Sequence, residues 1–537
     1  MKKFLILVGI LSAKASFAQS DKKILSDIKN TVYFLADDKL EGRRTGTPGE
    51  QKAYEYISAS FNNNKLKPLG DNGGFIQPFE VNEGLALGDA NMLRINEKNF
   101  AINTDYYPMP YSKVGSVNIQ HLGEGALFMD TRVMIADNSN NPHYDFDQDL
   151  YDKIKAVYET QTISAVIIYN SGDSTISGSF DKKSKREKIP LFILQVSNNA
   201  ASVIKSSVSK ANPLHIKVEI NEKKRTGHNI IGMIDNGAPL TVVLGAHYDH
   251  LGYGEDHNSL YAGSDKQIHN GADDNASGSA ALIALSKTLH KSKYRKFNYV
   301  FAAFSGEELG LYGSKHLVEN PPFEWKNINY MINMDMLGRL NDSTRGLTIG
   351  GFGTSPAWGQ LIDLNDKTFH IKVDSAGSGP SDHTSFYRKD VPVLFFFTGT
   401  HSDYHKPGDD ADKINFDGEL KIIRYIENII LQTADISKLS FTKTRENSMG
   451  KSAFKVTMGI MPDYTFSGNG VKVDGVSDNR PAQKAGIKAG DVIVKLGDYT
   501  VGDVQSYMQV LGKFNKGDAV KVKLMRNNEE MVVDIVF

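Results

Sequence analysis

The chain has 537 residues, 40% of them hydrophobic and 23% charged, the composition of a globular protein long enough for three or four domains. Its 62 basic and 63 acidic residues leave a formal charge of −1, which excludes a bulk electrostatic attraction to nucleic acid or to an anionic membrane; any charge that matters must be clustered in a site. With no cysteine there is no disulfide framework and no thiolate site, so any metal must be held by His, Asp and Glu. At the amino terminus, Lys2 and Lys3 precede the apolar run Phe4–Leu11, and Ser16-Phe17-Ala18 supplies a small-x-small site. Residues 1–18 are therefore expected to be a secretory signal peptide, with a mature start at Gln19 and export to the periplasm or the extracellular space. No later apolar run is long enough to span a bilayer.

Helical spacing over Asp21–Asp37 leads into Leu40-Glu-Gly-Arg-Arg-Thr-Gly-Thr-Pro-Gly-Glu50. Thr47 at the N-cap, Pro48 at N1 and Glu50 at N3 form a capping box, and Ala53, Tyr56, Ile57 and Phe61 share one face of the helix that follows. Arg43 and Arg44 are expected to pair with carboxylates at the surface or between domains. From 86 to 225 short β-type patterns (Met92–Ile95, Val133–Ala136, Ala165–Tyr169, Leu191–Val196) alternate with polar loops and carry no ligand-rich cluster. This segment resembles a protease-associated domain inserted into a peptidase, expected to act as a lid or spacer. Strand and helix patterns alternate clearly from 226 to 439, ending in an amphipathic helix with Leu420, Ile423, Ile426 and Ile430 on one face. A polar linker at 440–452 separates this α/β part from residues 453–537. There, Pro481-Ala482 and Ala485-Gly-Ile-Lys-Ala-Gly-Asp-Val-Ile493 resemble a bacterial PDZ domain. Such a domain would take an extended peptide or a C-terminus by strand addition near Met458-Gly459-Ile460, or else serve as a stabilising appendage.

The chemistry is concentrated where buried-strand patterns stop. Val242–Ala246 runs into His247 and Asp249, Val300–Phe304 into Ser-Gly-Glu-Glu308, and Tyr330–Met334 into Asp335. Between them lies His269-Asn-Gly-Ala-Asp-Asp-Asn-Ala-Ser-Gly278, with two adjacent carboxylates in a turn of small residues. Strand carboxyl ends are where α/β folds place their chemistry. A set mixing imidazole and carboxylate suits zinc better than calcium or magnesium. His247, Asp274, Glu308, Asp335 and His405 are too many for one zinc with three protein ligands. They match two zinc ions about 3.5–4 Å apart with one shared carboxylate, for which Asp274, in the tightest loop, is the natural bridge.

The blocks Ala246-His-Tyr-Asp-His250, Asn270–Gly278, Gly306–Ser314, Asn333-Met-Asp335 and Asp403-Tyr-His405 resemble the signatures of the co-catalytic di-zinc aminopeptidases, a family that also holds glutamate-carboxypeptidase-like enzymes and glutaminyl cyclases. The resemblance implies a three-layer α/β/α domain with a mixed sheet. It implies one zinc on His247 and Asp335, a second on Glu308 and His405, with Asp274 bridging and Glu307 as general base. Asp249 would hold the His247 imidazole from behind. Tyr404 would donate to the oxyanion of the tetrahedral intermediate, its alternative being an aromatic packed beside the site. Ser381-Asp-His383 cannot be a triad, because consecutive side chains diverge; His250, His257 and His269 are expected to be loop histidines. The function implied is an exported aminopeptidase acting on peptide substrates. Its alternatives are a carboxypeptidase for acidic C-termini, a single-zinc glutaminyl cyclase and an inactive binding protein on the same scaffold.

Overall fold

In the computed structural model, the residues described are 21–537 apart from 139–145, 174, 183, 185, 210, 257, 445–455, 463–468, 477–479, 503 and 528. The expected signal peptide, most of the expected linker and His257 lie outside them. Contacts divide the chain into two units, one running up to Phe79 and resuming over Thr226–Phe537, the other Glu80–Arg225.

The first unit is built on a nine-stranded mixed sheet. Its strands include β1 (Ile220–Ile234), β2 (Thr241–His247), β3 (Asn298–Phe304), β4 (Ile328–Met334), β5 (Gly346–Gly350), β6 (His370–Val373) and β7 (Val393–Phe397). The four central strands lie in the order β3-β2-β4-β7 and are all parallel; β1 and β5 flank them antiparallel. They read as unbroken apolar runs because both faces are covered. Val242, Leu244, Ala246, Phe301 and Ile332 point into a core shared with α1 (Pro48–Asn63), α2 (Gly278–Thr288) and α5 (Phe416–Thr433). Their neighbours Val243, Val300, Ala302 and Met331 point the other way, against α3 (Tyr312–Glu319) and α4 (His383–Tyr387). Alternation of side chains along a strand thus produces the three-layer α/β/α arrangement. In chain order β3 is laid on one side of β2 and β4 on the other, so the connections reverse at β2. That is where a crevice opens at the carboxyl ends of the strands.

The amino-terminal block is woven into this core. Thr47 caps α1 by accepting from the Glu50 amide at 3.4 Å. Glu50 goes beyond its capping-box role: fully buried, it accepts from the Ser305 hydroxyl (2.6 Å), the Tyr248 hydroxyl (3.2 Å) and the Gly46 amide (2.8 Å). Arg44 pairs with Asp256 at 2.7 and 2.8 Å, as an arginine of this block is expected to do. Arg43 does not. It is fully buried and donates to four carbonyls, those of Tyr248 (2.7 Å), Leu35 (2.5 Å), Asn270 (2.7 Å) and Gly271 (3.0 Å). Burial lowers its pKa to about 10, while Asp249, Asp274, Asp409 and Glu308 favour the charge, so it stays cationic at neutral pH. Arg43→Met would leave buried carbonyls without donors and an acidic cluster without its internal cation. Urea unfolding is expected to show a loss of about 3 kcal/mol or more. A change within 0.5 kcal/mol would mean the carbonyls find other donors.

The second unit, rich in β-structure, holds two four-stranded sheets. One corresponds to Met92–Ile95 and Leu214–Val218 with their neighbours, the other to Ala126–Asp130, Ala165–Tyr169, Phe192–Val196 and Tyr106–Pro108. The strand expected at Val133–Ala136 is instead part of the helix Arg132–Asp137. Ala126–Asp130 already fills the sheet position beside Ala165–Tyr169, and Val133 (62% exposed) and Ile135 (43%) are not core residues. The described residues of 456–537 hold a six-stranded antiparallel sheet over a core of Met458, Val471, Ile493 and Leu524, with Ile460–Pro462 at one edge.

Candidate metal centre

The residues singled out at strand ends converge at the crevice beside β2. His247 is the last residue of β2, Glu307 and Glu308 follow β3, and Asp335 follows β4. Asp274 comes from the 272–277 turn that opens α2. That turn is clamped from several sides. Asp409 accepts from the amides of Asp273 and Asp274, both at 3.0 Å, and Asp273 accepts from the Gly338 amide at 2.6 Å. Asn275 donates to the Met334 carbonyl at 3.0 Å. Gly278 is required here, since a Cβ would lie 2.4 Å from that same carbonyl, so only glycine lets α2 start against the end of β4.

Asp274 faces two imidazoles at once. Its Oδ1 lies 3.4 Å from His247 Nε2 and its Oδ2 lies 3.3 Å from His405 Nε2. His247 Nε2 is also 3.3 Å from Asp335, and His405 Nε2 is 3.2 Å from Glu308 Oε2. The other ring nitrogens are taken: His405 Nδ1 lies 2.9 Å from the Asn258 carbonyl and His247 Nδ1 3.2 Å from the Asp249 carbonyl. Carbonyls only accept, so each Nδ1 carries a proton and each Nε2 is left to bind. Asp249 therefore holds His247 by its backbone, its carboxylate being 3.6 Å away. That carboxylate accepts instead from the Thr45 hydroxyl (3.1 Å) and the Glu307 amide (3.3 Å).

Three carboxylates and two imidazoles in one buried spot interact strongly. Despite burial, the neighbouring carboxylates Asp335 and Glu308 raise His247 and His405 well above the usual histidine range. Burial alone would raise Asp274 and Glu308, but the facing histidines win, holding Asp274 well below its ordinary value and Glu308 at about 2. Glu307 goes the other way: burial, together with Glu308 and Asp335, pushes its carboxyl well up. It lines the cavity beside the cluster. Tyr404 stacks on the His405 ring at 4.0 Å between centroids and lines the same cavity.

The sequence reading passed over one residue at this centre. His250, expected to be a loop histidine, is buried with Nδ1 2.7 Å from Glu308 Oε1, the oxygen opposite the one that meets His405. Its donor atom also lies within 4.8 Å of those of Asp274 and Glu308. The signal was its place in Ala246-His-Tyr-Asp-His250, three residues past His247. His269 keeps the loop role, 2.6 Å from the Ser259 hydroxyl, and burial lowers its pKa to about 4. Ser381, Asp382 and His383 are all buried and form no triad; the His383 ring stacks on Phe395 at 4.5 Å and burial holds it neutral, with a pKa near 3.

The donor set suits metal. Two groups, His247 with Asp274 and Asp335 and His250 with Asp274 and Glu308, each bring three donor atoms within 4.8 Å. A cation there would neutralise carboxylates that now rely on protonated histidines. Cavity and donor set together form a crevice with the donors to hold metal, at the carboxyl ends of the four parallel central strands, where α/β folds place their chemistry.

Residues 229–430 match the model of peptidase family M28 and residues 440–536 that of the PDZ domain. Residues 229–430 are thus a peptidase family M28 segment, and a PDZ segment follows it. Aminopeptidase YwaD of Bacillus subtilis is 26% identical over 277 residues, covering 49% of this chain and 56% of that protein. An aminopeptidase of Pseudomonas aeruginosa is 32% identical over 188 residues, 33% of this chain and 31% of that one. The chain spans between 31% and 56% of the length of the curated relatives it matches first. Among solved structures, BSAP, a zinc aminopeptidase from Bacillus subtilis, aligns with a TM-score of 0.42 and 18% identity over 78% of this chain and 95% of that one.

Proposed function

We propose that the chain is an exported aminopeptidase holding two zinc ions, with residues 86–225 as an insertion in the peptidase domain and 440–452 as the linker to the PDZ domain. His247 and Asp335 would hold one ion, Glu308 and His405 the other, and Asp274 would bridge, each of its oxygens facing one imidazole. When bound, zinc supplies an acidified water and a Lewis acid for the scissile carbonyl. Glu307 takes the proton from the attacking water and delivers it to the leaving amine, a shuttle its raised pKa suits. Asp249 orients both partners, His247 through its carbonyl and Glu307 through its carboxylate. Tyr404, beside His405, is placed to donate to the developing oxyanion. His250 steadies Glu308 from the far side.

The observation that carries the choice of aminopeptidase over carboxypeptidase is the charge of the cavity. Of the carboxylates on its lining, Asp274, Glu308 and Asp335 would be taken up by the metal ions and Glu307 by proton transfer, which leaves Asp374 to meet a substrate amine, while no lysine or arginine among the described lining residues meets a substrate carboxylate. Beyond the donors the wall is apolar, with Met336, Phe395 and Phe397, so an apolar amino-terminal side chain is the expected preference; several curated relatives are named leucine aminopeptidases. Chelation followed by stepwise return of zinc tests the reading: hydrolysis of a leucyl substrate is expected to recover and to plateau at two equivalents. A plateau at one equivalent would remove the bridged pair.

A further inference from the structure

The Glu80–Arg225 unit contains a cavity of about 350 Å³ that the chemistry above does not use. One wall is apolar and aromatic, made by Tyr107, Met109, Tyr111, Phe146 and Leu150. Four polar atoms on the lining have no hydrogen-bond partner among the described residues: the Tyr111 hydroxyl, the Ser184 hydroxyl, Arg186 Nε and Gln195 Nε2. Tyr111 is 1% and Gln195 5% exposed, so each would gain from a ligand atom that completes its hydrogen bonding. The Arg186 guanidinium lies 5.7 Å from the Tyr151 ring centroid, and that ring packs edge-on against Tyr111 at 5.0 Å.

The four groups have a common chemistry. Arg186 Nε and Gln195 Nε2 only donate, and the two hydroxyls can donate. Their natural complement is an anion that only accepts, and a guanidinium matches a carboxylate in shape as well as charge. Asp147 and Asp181 also line the cavity, and both are exposed. Two carboxylates beside one guanidinium disfavour a dianion such as phosphate, and they favour a ligand that carries an N–H or ammonium next to its single carboxylate. We propose that this cavity binds the terminal α-carboxylate of a peptide or of a free amino acid, with an apolar side chain against the Tyr107–Phe146 wall.

The test is calorimetry on the full chain with N-acetyl-Ala-Phe, its C-terminal amide, and L-phenylalanine. The acetyl group removes the free amine that the metal cavity would select, and the amide removes the charge that Arg186 would read. The acid is expected to bind at least about tenfold tighter than the amide. Arg186→Met should abolish that difference while leaving the hydrolysis rate of a short aminoacyl substrate unchanged. Tyr111→Phe, which removes only an unpartnered hydroxyl and so keeps the fold, should weaken the acid several-fold. Binding of L-phenylalanine that Arg186→Met abolishes, without binding of the acetylated peptide, would assign the cavity to free amino acids, and Arg186-dependent binding of both would extend it to peptide termini. Equal binding of acid and amide, an affinity unmoved by Arg186→Met, or no saturable binding at millimolar ligand would each overturn the proposal.

Discussion

Glu307→Gln is expected to keep the fold and the metal content and to lower kcat by about 10²–10⁴-fold or more, with KM changed much less. The physical basis is the separation of roles between adjacent carboxylates. Glu308 meets His405 at 3.2 Å and His250 at 2.7 Å, and its carboxyl is held down at about 2, as suits a ligand. Glu307 lines the cavity beside it and its carboxyl is pushed well up, as suits a group that must take a proton and return it. The amide is nearly isosteric, and the Glu307 backbone would still be held by Asp249 at 3.3 Å, so the geometry should survive while the proton path is cut. Retention of more than about a tenth of kcat, a factor worth only roughly 1.4 kcal/mol, would show that another group moves the proton. Loss of metal comparable to that in Glu308→Gln would mean that base and ligand have been exchanged.

Asp274→Asn is expected to lower metal content at both sites, whereas His405→Ala should empty mainly one. Asp274 faces both imidazoles, so the substitution removes one negative charge from the surroundings of both ions. His405 faces only the Asp274–Glu308 side. The Asp409 clamp on the Asp273 and Asp274 amides acts on backbone, so the turn should keep its shape in the asparagine variant. Metal analysis after extensive dialysis reads the difference. Small and equal losses in the two variants would contradict a bridging role.

The layers of the α/β domain were legible because the central strands are covered on both faces and so read as apolar runs, each stopping at a polar residue where the crevice begins. The candidate donors were legible for the same reason, since His247, Glu308 and Asp335 each follow such a run and the geometry brings them together with Asp274 and His405. What pattern could not supply was long-range polar pairing. Arg43 looks like any loop arginine until the fold surrounds it with the carbonyls of Leu35, Tyr248, Asn270 and Gly271. For His250 the only signal was its place three residues past His247, and its partner shows only when the chain after β3 carries Glu308 to within 2.7 Å of it. Val133–Ala136 misled in the opposite sense: a run of four apolar residues became part of a largely exposed helix because another segment had already filled the sheet.

The direction of cleavage separates an aminopeptidase from a carboxypeptidase, and one reaction reads it. A heptapeptide with a free amino terminus and a free carboxyl terminus, incubated with the zinc-loaded protein and followed by mass spectrometry, is expected to shorten residue by residue from its amino end. The same peptide, N-acetylated, should remain whole. Shortening from the carboxyl end, or cleavage of the acetylated peptide at a similar rate, would contradict an amine-selecting cavity with Asp374 as its free carboxylate.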